Sequence, residues 1–317
     1  MVAGLTRSTI VRTSFAQVFR ALQRLGVNVT PSHFYFPVPR LDTLVRKDWH
    51  ARRPCSAVDL RLKEQVKTLA ELGRYYAEQD FPEAKTSNDY EFHFNNGYFE
   101  RVDAEIAYAL VRQRRPQHVI EVGSGKSTLL LATALRRNAA EGDPGELTSI
   151  EPYPSERLLK GFPGLTRLLR QPVQTVDIET FRRLQANDIL FIDSSHVVAM
   201  DSDVLHEFFR ILPELAPGVL IHFHDIFTPL DYPEKFVMTN LCFWGEQYLL
   251  EAFLSYNQAF RVLWSSSAMQ LFHAELLARS FPKWIGSFSR MPNELRVFAP
   301  SLDGKNVWPC SFWMEKL

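Results

Sequence analysis

From His118 onward, short apolar runs alternate with helical stretches, and no other feature of this 317-residue chain limits its fold so tightly. HVIEV, LTSIEP, a run within RLLRQPVQTV, DILFID, PGVLIHFHD, FRVLW and SFWMEK read as strands. Between them, helices are expected from Ser127 to about Arg137, Ile178 to Leu184, Asp201 to Leu212, and over FWGEQYLLEAFLSYN. Apolar runs without polar alternation belong to strands buried on both faces, so the pattern predicts a mainly parallel α/β sheet covered by helices.

The first third of the chain follows a different rhythm. Phe15, Val18, Phe19, Leu22 and Leu25 recur at helical spacing, as do Leu60, Leu62, Val66, Leu69, Leu72 and Tyr76 between Asp59 and Glu78. A further helix is expected from about Phe99 to Arg112. The expected organisation is a mainly helical extension over 1–103 and a sheet domain over 104–317, interrupted by an insertion at about 265–306 that does not keep the strand–helix beat.

Charge and cysteine usage narrow the partners. Lys+Arg and Asp+Glu are both 36, so no basic field draws the chain to phosphates; the N-terminal Arg7, Arg12, Arg20 and Arg24 are the sole hint of nucleic acid. Cys55, Cys242 and Cys310 are too far apart for a disulfide framework or a zinc knuckle. No apolar run approaches the roughly 18 residues that cross a bilayer. The expectation is a soluble, cytoplasmic protein acting on a small molecule, with neither nucleic acid nor a membrane span; the sequence allows a homo-oligomer.

The loop GSGKST after the first strand has two readings. A phosphate loop requires a Gly five residues before Gly125, where this chain has Ile120 inside the strand, and a β-branched residue cannot supply that turn. The other reading is a nucleoside loop: Glu121, then Gly123 and Gly125, allow a cofactor to lie against the end of the strand. Glu151, closing the second strand in SIEP, stands where a carboxylate accepts bonds from both ribose hydroxyls. A dinucleotide site would want a third Gly at Thr128, which is absent.

EVGSGKST, SIEP, DILFIDSSH and PGVLIHFHDIF together resemble the class I S-adenosylmethionine-dependent methyltransferases. Within them, the residues look most like the metal-dependent bacterial branch of macrolide and aminocoumarin sugar O-methyltransferases and a cephalosporin-biosynthesis protein. The resemblance covers about Ala104 to Trp264 plus SFWMEK. It implies a Rossmann-like seven-stranded sheet with the last strand antiparallel and a role in natural-product biosynthesis. Glu121 and Gly123 would contact the methionine moiety of S-adenosylmethionine, Glu151 the ribose and Asp177 the adenine amino group. Ser124, Gly125 and Ser127 complete that expected cofactor loop, and Asp193 would border the cofactor from the fourth strand.

Asp193 ends the fourth strand and His224 with Asp225 ends the fifth, so these three are expected to converge beside the transferable methyl. Two carboxylates and an imidazole make a divalent-metal set, and the matching positions of the resembled enzymes hold Mg²⁺ with acidic residues only. His224 departs from that pattern and brings Mn²⁺, Fe²⁺ or Zn²⁺ into range. The alternative is a metal-free site in which His224 or His196 takes the acceptor's proton; His196 could equally organise the loop beside Ser194 and Ser195. His222, deeper on the same strand face, reads as a core residue or one that backs the residues of the site. Tyr90 to Phe99, Phe227 to Tyr232, and Cys242 to Trp244 are candidate pocket walls. The expected activity is methyl transfer to a hydroxyl, less readily an amine. Two alternatives are a metal-dependent hydroxylase or hydrolase on the same fold, and a non-catalytic cofactor-binding protein.

Overall fold

The computed structural model describes residues 9–33, 35–49, 51–55, 57–281 and 309–317. Its contacts group Met1–Trp49 with Pro233–Phe243 in one compact unit, and His50–Tyr232 with Trp244–Leu317 in a second. The expected boundary at 103/104 is therefore not where contacts divide. Leu69, Leu72, Phe92 and Phe94 share one apolar core with Ala104, Tyr108 and Phe191, so residues before 104 are part of the sheet domain. The smaller unit contains helix α1 (Thr9–Gln23) and the short helix α2 (Leu41–Leu44).

In the larger unit, α3 (Leu62–Leu72) tightens into a 3₁₀ turn over Gly73–Glu78, and α4 (Asp103–Arg114) leads into the sheet. The sheet region then runs β1 (His118–Val122), α5 (Lys126–Ala140), β2 (Glu146–Ile150), α6 (Glu156–Lys160), β3 (Arg167–Leu169) and α7 (Glu179–Arg182). It continues with β4 (Ile189–Ile192), α8 (Asp203–His206), β5 (Leu220–Phe223), α9 (Glu246–Leu254), β6 (Phe260–Ser265), α10 (Ser266–Ser280) and β7 (Phe312–Lys316). The helix expected to reach Leu212 is shorter, passing into a wide turn at Glu207–Ile211 and a tight one at Leu212–Glu214, where Pro213 cannot donate a helical N–H. The expected insertion opens with α10, and residues 282–308 lie outside the described residues.

The strand order is β3-β2-β1-β4-β5-β7-β6, with β7 antiparallel to β5 and β6 and the other pairs parallel. This is the Rossmann-like sheet of the class I methyltransferase fold. Alternating strand residues feed two cores: Val119, Phe191 and Leu220 on one face, Ile120, Leu190 and Ile221 on the other. Chain order reverses between β1 and β4, which opens a crevice at their carboxyl ends.

Candidate active site

Two carboxylates frame the loop after β1. Glu121 is fully buried, and it accepts the Ser127 hydroxyl at 2.8 Å and the Ser149 hydroxyl at 2.9 Å. Burial pushes its pKa up to about 7, against the pull of those hydroxyls and of Thr128. Ser127 thus anchors the buried acid. Glu151 accepts the backbone N–H of Ser124 at 3.1 Å and that of Tyr153 at 2.8 Å, fixing the carboxylate at the mouth of the crevice.

Gly123 has a φ of +78°, and a Cβ built there would stand 1.9 Å from the Asp193 carbonyl oxygen. Only glycine lets the β1 loop lie directly against the end of β4. The Ser124 N–H, a donor that a phosphate loop would turn to its ligand, is already taken by Glu151. Lys126 opens α5 half-buried, its ammonium disfavoured by burial and by Arg157 and Lys85, with Asp89 offsetting only part of that. Asp177 is exposed, and its carboxylate accepts the Glu179 N–H at 3.1 Å at the start of α7.

Asp193, His224 and Asp225 converge as expected, and His196 joins them. His224 Nδ1 lies 3.6 Å from Asp193 Oδ1 and 3.9 Å from Asp225 Oδ2. His196 Nε2 lies 3.6 Å from Asp193 Oδ1 and 3.4 Å from Asp225 Oδ2. Both His196 (φ +61°) and Asp225 (φ +54°) occupy the left-handed backbone region, which aims their side chains inward at a cost of about 1 kcal/mol each. Donors bound to one ion at roughly 2.0–2.2 Å stand about 3.3–3.6 Å apart when tetrahedral, and these four separations lie within a few tenths of an ångström of that, with Asp193, His196 and Asp225 close enough together to share an ion. Two imidazoles with two carboxylates suit Mn²⁺, Fe²⁺ or Zn²⁺ better than Mg²⁺.

Burial works against the charge on Asp193, but the neighbouring imidazoles, His224 foremost, outweigh it and hold its pKa at about 2. Burial also works against the His196 imidazolium, and its carboxylate neighbours reverse that effect, raising its pKa to about 9. The chief neighbour is Glu246, 1% exposed, whose carboxylate meets His196 Nδ1 at 2.7 Å. Burial works against the His224 imidazolium too, but Cys310 first and then Asp193 and Asp225 overcome it and hold its pKa above the ordinary value. His222 is core: Nε2 meets the Ser311 hydroxyl at 2.8 Å, the ring stacks 3.7 Å from Phe191, and burial drives its pKa down.

The expected pocket walls separate on inspection. Phe92 and Phe94 pack edge-on against Phe81 and serve the core instead. Phe99 does reach the site, its ring 5.3 Å from His224. Trp244 lies 4.6 Å from the His196 ring and 5.8 Å from Tyr232. Cys242 falls in the smaller unit.

Sequence reasoning missed Glu246, Asp103 and Cys310. An acid in the first turn of a helix is ordinary, and Glu246 and Asp103 both stand there. A single cysteine carries no spacing signal. None of the three could be told from its neighbours without the tertiary contacts.

Residues 120–226 match the family described as a methyltransferase domain, a span that runs from β1 through Asp225. A protein of Archaeoglobus fulgidus, described as an uncharacterized protein, is 34% identical over 175 residues, covering 53% of this chain and 78% of that protein. The chain belongs to the methyltransferase-domain family. Among solved structures, an O-methyltransferase from Bacillus cereus in complex with SAH aligns at 12% identity and TM-score 0.33, over 87% of this chain and 94% of the other. A putative protein-L-isoaspartate O-methyltransferase from Plasmodium falciparum aligns at 13% identity and TM-score 0.27, over 55% of this chain and 84% of the other. Likenesses this distant say nothing about chemistry. Within this family member, the matched span contains all the converging residues except Glu246, which α9 brings in from outside it. No described helix is long and apolar enough to cross a membrane.

Proposed function

We propose that this family member transfers a methyl group from S-adenosylmethionine to a hydroxyl of a small, partly apolar metabolite. The observation that carries the reading is the cradle made by Glu121, Gly123 and Glu151, closed against the Asp193 carbonyl. Glu121, beneath the loop, suits the cationic methionine end, and Glu151 suits two ribose hydroxyls. Ser124, Gly125 and Ser127 shape the loop between them. Asp177, exposed beyond β3, is proposed at the adenine amino group. Phe99, Tyr232 and Trp244 offer apolar area beside the reacting centre, consistent with a glycosylated or aromatic acceptor.

In the reaction the acceptor oxygen attacks the methyl carbon, the carbon–sulfur bond breaks, and its electron pair leaves on a neutral thioether. The acceptor's proton must go elsewhere, and His196 is the proposed base. The base form is the ring that has lost one proton, with its Nδ1–H donated to Glu246 and Nε2 bare toward Asp193 and Asp225; with a pKa of about 9, this form grows in as pH rises toward 9. Asp193, His224 and Asp225 would hold a divalent metal, which when bound lowers the pKa of an oxygen it contacts.

The pair His196–Glu246 has a measurable signature. Because the folded pKa of about 9 exceeds the ordinary value near 6.5, the pair's stabilisation is fully present below about pH 6.5 and is lost as pH rises through about 9. In metal-stripped protein, NMR titration of the His196 ring is expected to show this high midpoint, and Glu246→Gln to move it about 1–2 pH units toward acid. An unmoved midpoint would remove Glu246 from the account.

The two imidazoles beside carboxylates also suit redox iron, which keeps a hydroxylase as the second reading. Methyl-labelled S-adenosylmethionine, offered with hydroxylated aromatic and glycosylated metabolites and with Mn²⁺, Fe²⁺ or Zn²⁺, separates the readings. Label on an acceptor oxygen is the expected result. Oxygen uptake without label transfer would favour the hydroxylase, and cofactor binding without either would mark a non-catalytic protein.

A further inference from the structure

His224 has two faces, and the proposed methyl transfer uses only one. Its Nδ1 faces Asp193 and Asp225, whereas its Nε2 lies 3.6 Å from Cys310 Sγ and 3.9 Å from Asp103 Oδ2. Asp225 is divided in the same way. Its Oδ2 turns to His196, while its Oδ1 lies 3.4 Å from Cys310 Sγ. Behind the outer donor set there is thus an inner one of Asp103, His224 Nε2 and Cys310, with Asp225 Oδ1 beside its sulfur; Asp103 is fully buried, Cys310 2% exposed and His224 5% exposed.

The inner donors are already oriented. Asp103 accepts the backbone N–H of Cys310 at 2.8 Å and that of Ser311 at 3.0 Å, which ties the chain entering β7 to the first residue of α4. These bonds and one from the Ser266 hydroxyl hold the carboxylate in place, with Oδ2 3.9 Å from His224 Nε2. A tetrahedral ion with one sulfur at about 2.3 Å and nitrogen or oxygen at about 2.0–2.2 Å separates its donors by about 3.3–3.6 Å. The observed 3.4, 3.6 and 3.9 Å separations need movements of a few tenths of an ångström. The two carboxylates and the thiolate supply three negative charges against a dication, Asp225 being shared with the outer donor set, so the buried ion is not left uncompensated.

We propose that Asp103, His224 Nε2, Cys310 and Asp225 Oδ1 form a second metal site, for a zinc-class divalent ion, joined to the outer donor set through His224 and Asp225. On binding, the Cys310 S–H and the His224 Nε2–H each release a proton to solvent as the sulfur–metal and nitrogen–metal bonds form; no electron changes hands. The site fixes the two residues it shares with the outer set. It depends on neither the cofactor nor methyl transfer.

Cobalt tests this directly. Co²⁺ added to metal-stripped full-length protein is expected to produce near-ultraviolet sulfur-to-cobalt charge-transfer absorption that saturates within about two equivalents per chain, the outer donor set taking the other ion. Cys310→Ser is expected to abolish the band, whereas the pair Cys55→Ser with Cys242→Ser retains it. Glu151→Ala also retains it, so loss of cofactor binding and loss of this site are read separately. Co²⁺ binding without the band, or a band surviving in Cys310→Ser, would overturn the proposal and leave a polar cluster that only pins β7. Should Cys310→Ser fail to fold, X-ray absorption on zinc-loaded wild-type protein decides: a sulfur neighbour near 2.3 Å is expected, and nitrogen and oxygen alone would refute it.

Discussion

Gly123→Ala is expected to destabilise the protein by about 2–5 kcal/mol and to lower S-adenosylmethionine affinity more than about 100-fold. Two physical effects add. The left-handed backbone at φ +78° costs an alanine roughly 1–2 kcal/mol, and a Cβ 1.9 Å from the Asp193 carbonyl forces β1 and β4 apart, an overpacking of about 1–3 kcal/mol. The obstacle is backbone, so no rotamer change relieves it. The separation would fall at the crevice where the cofactor is proposed to lie, so binding suffers beyond the loss in stability. Urea denaturation reads the first effect and calorimetry on the folded fraction reads the second. Near-wild-type values of both would mean that the close approach of loop and strand has no bearing on the cofactor.

His196→Asn is expected to reduce kcat by about 10²–10⁴-fold, the usual worth of a positioned base, while cofactor affinity changes only a few-fold. Asparagine is chosen because it tolerates the left-handed backbone that His196 adopts at φ +61°, so the loop is retained and the imidazole alone is lost. His196 makes none of the hydrogen bonds that shape the cradle, which is why affinity is spared. The split between kcat and KM is the informative readout: a raised KM with kcat unchanged would make His196 a residue that holds the acceptor.

The sheet was readable because its strands are buried on both faces. Ile189 to Ile192 and Leu220 to Phe223 have no solvent side, so no polar alternation interrupts their apolar runs. The cradle was readable for the same reason in reverse: Glu121 is an acid where the pattern calls for an apolar residue, and such exceptions mark function. His224 and Asp225 stood out as polar residues closing a buried strand. By contrast, the partners of His196 and His224 come from distant parts of the chain, Glu246 from α9, Asp103 from α4 and Cys310 from the approach to β7. No local period or spacing connects them. The aromatic run from Tyr90 to Phe99 could not be sorted by sequence either, because Phe92 and Phe94 meet the core and Phe99 meets His224 through the same kind of ring contact. The left-handed turns at His196 and Asp225 left no trace, since neither position is glycine.

The most direct test of the central claim is calorimetric titration of metal-stripped protein with S-adenosylmethionine and, separately, with ATP, each repeated with Glu151→Ala. Hydrogen bonds to a charged group contribute about 1.5–3 kcal/mol each, so losing two ribose contacts is expected to weaken S-adenosylmethionine binding at least about 100-fold, with ATP producing no specific heat in either protein. Saturable ATP binding without any response to S-adenosylmethionine would contradict the account and make the loop after β1 a phosphate site after all.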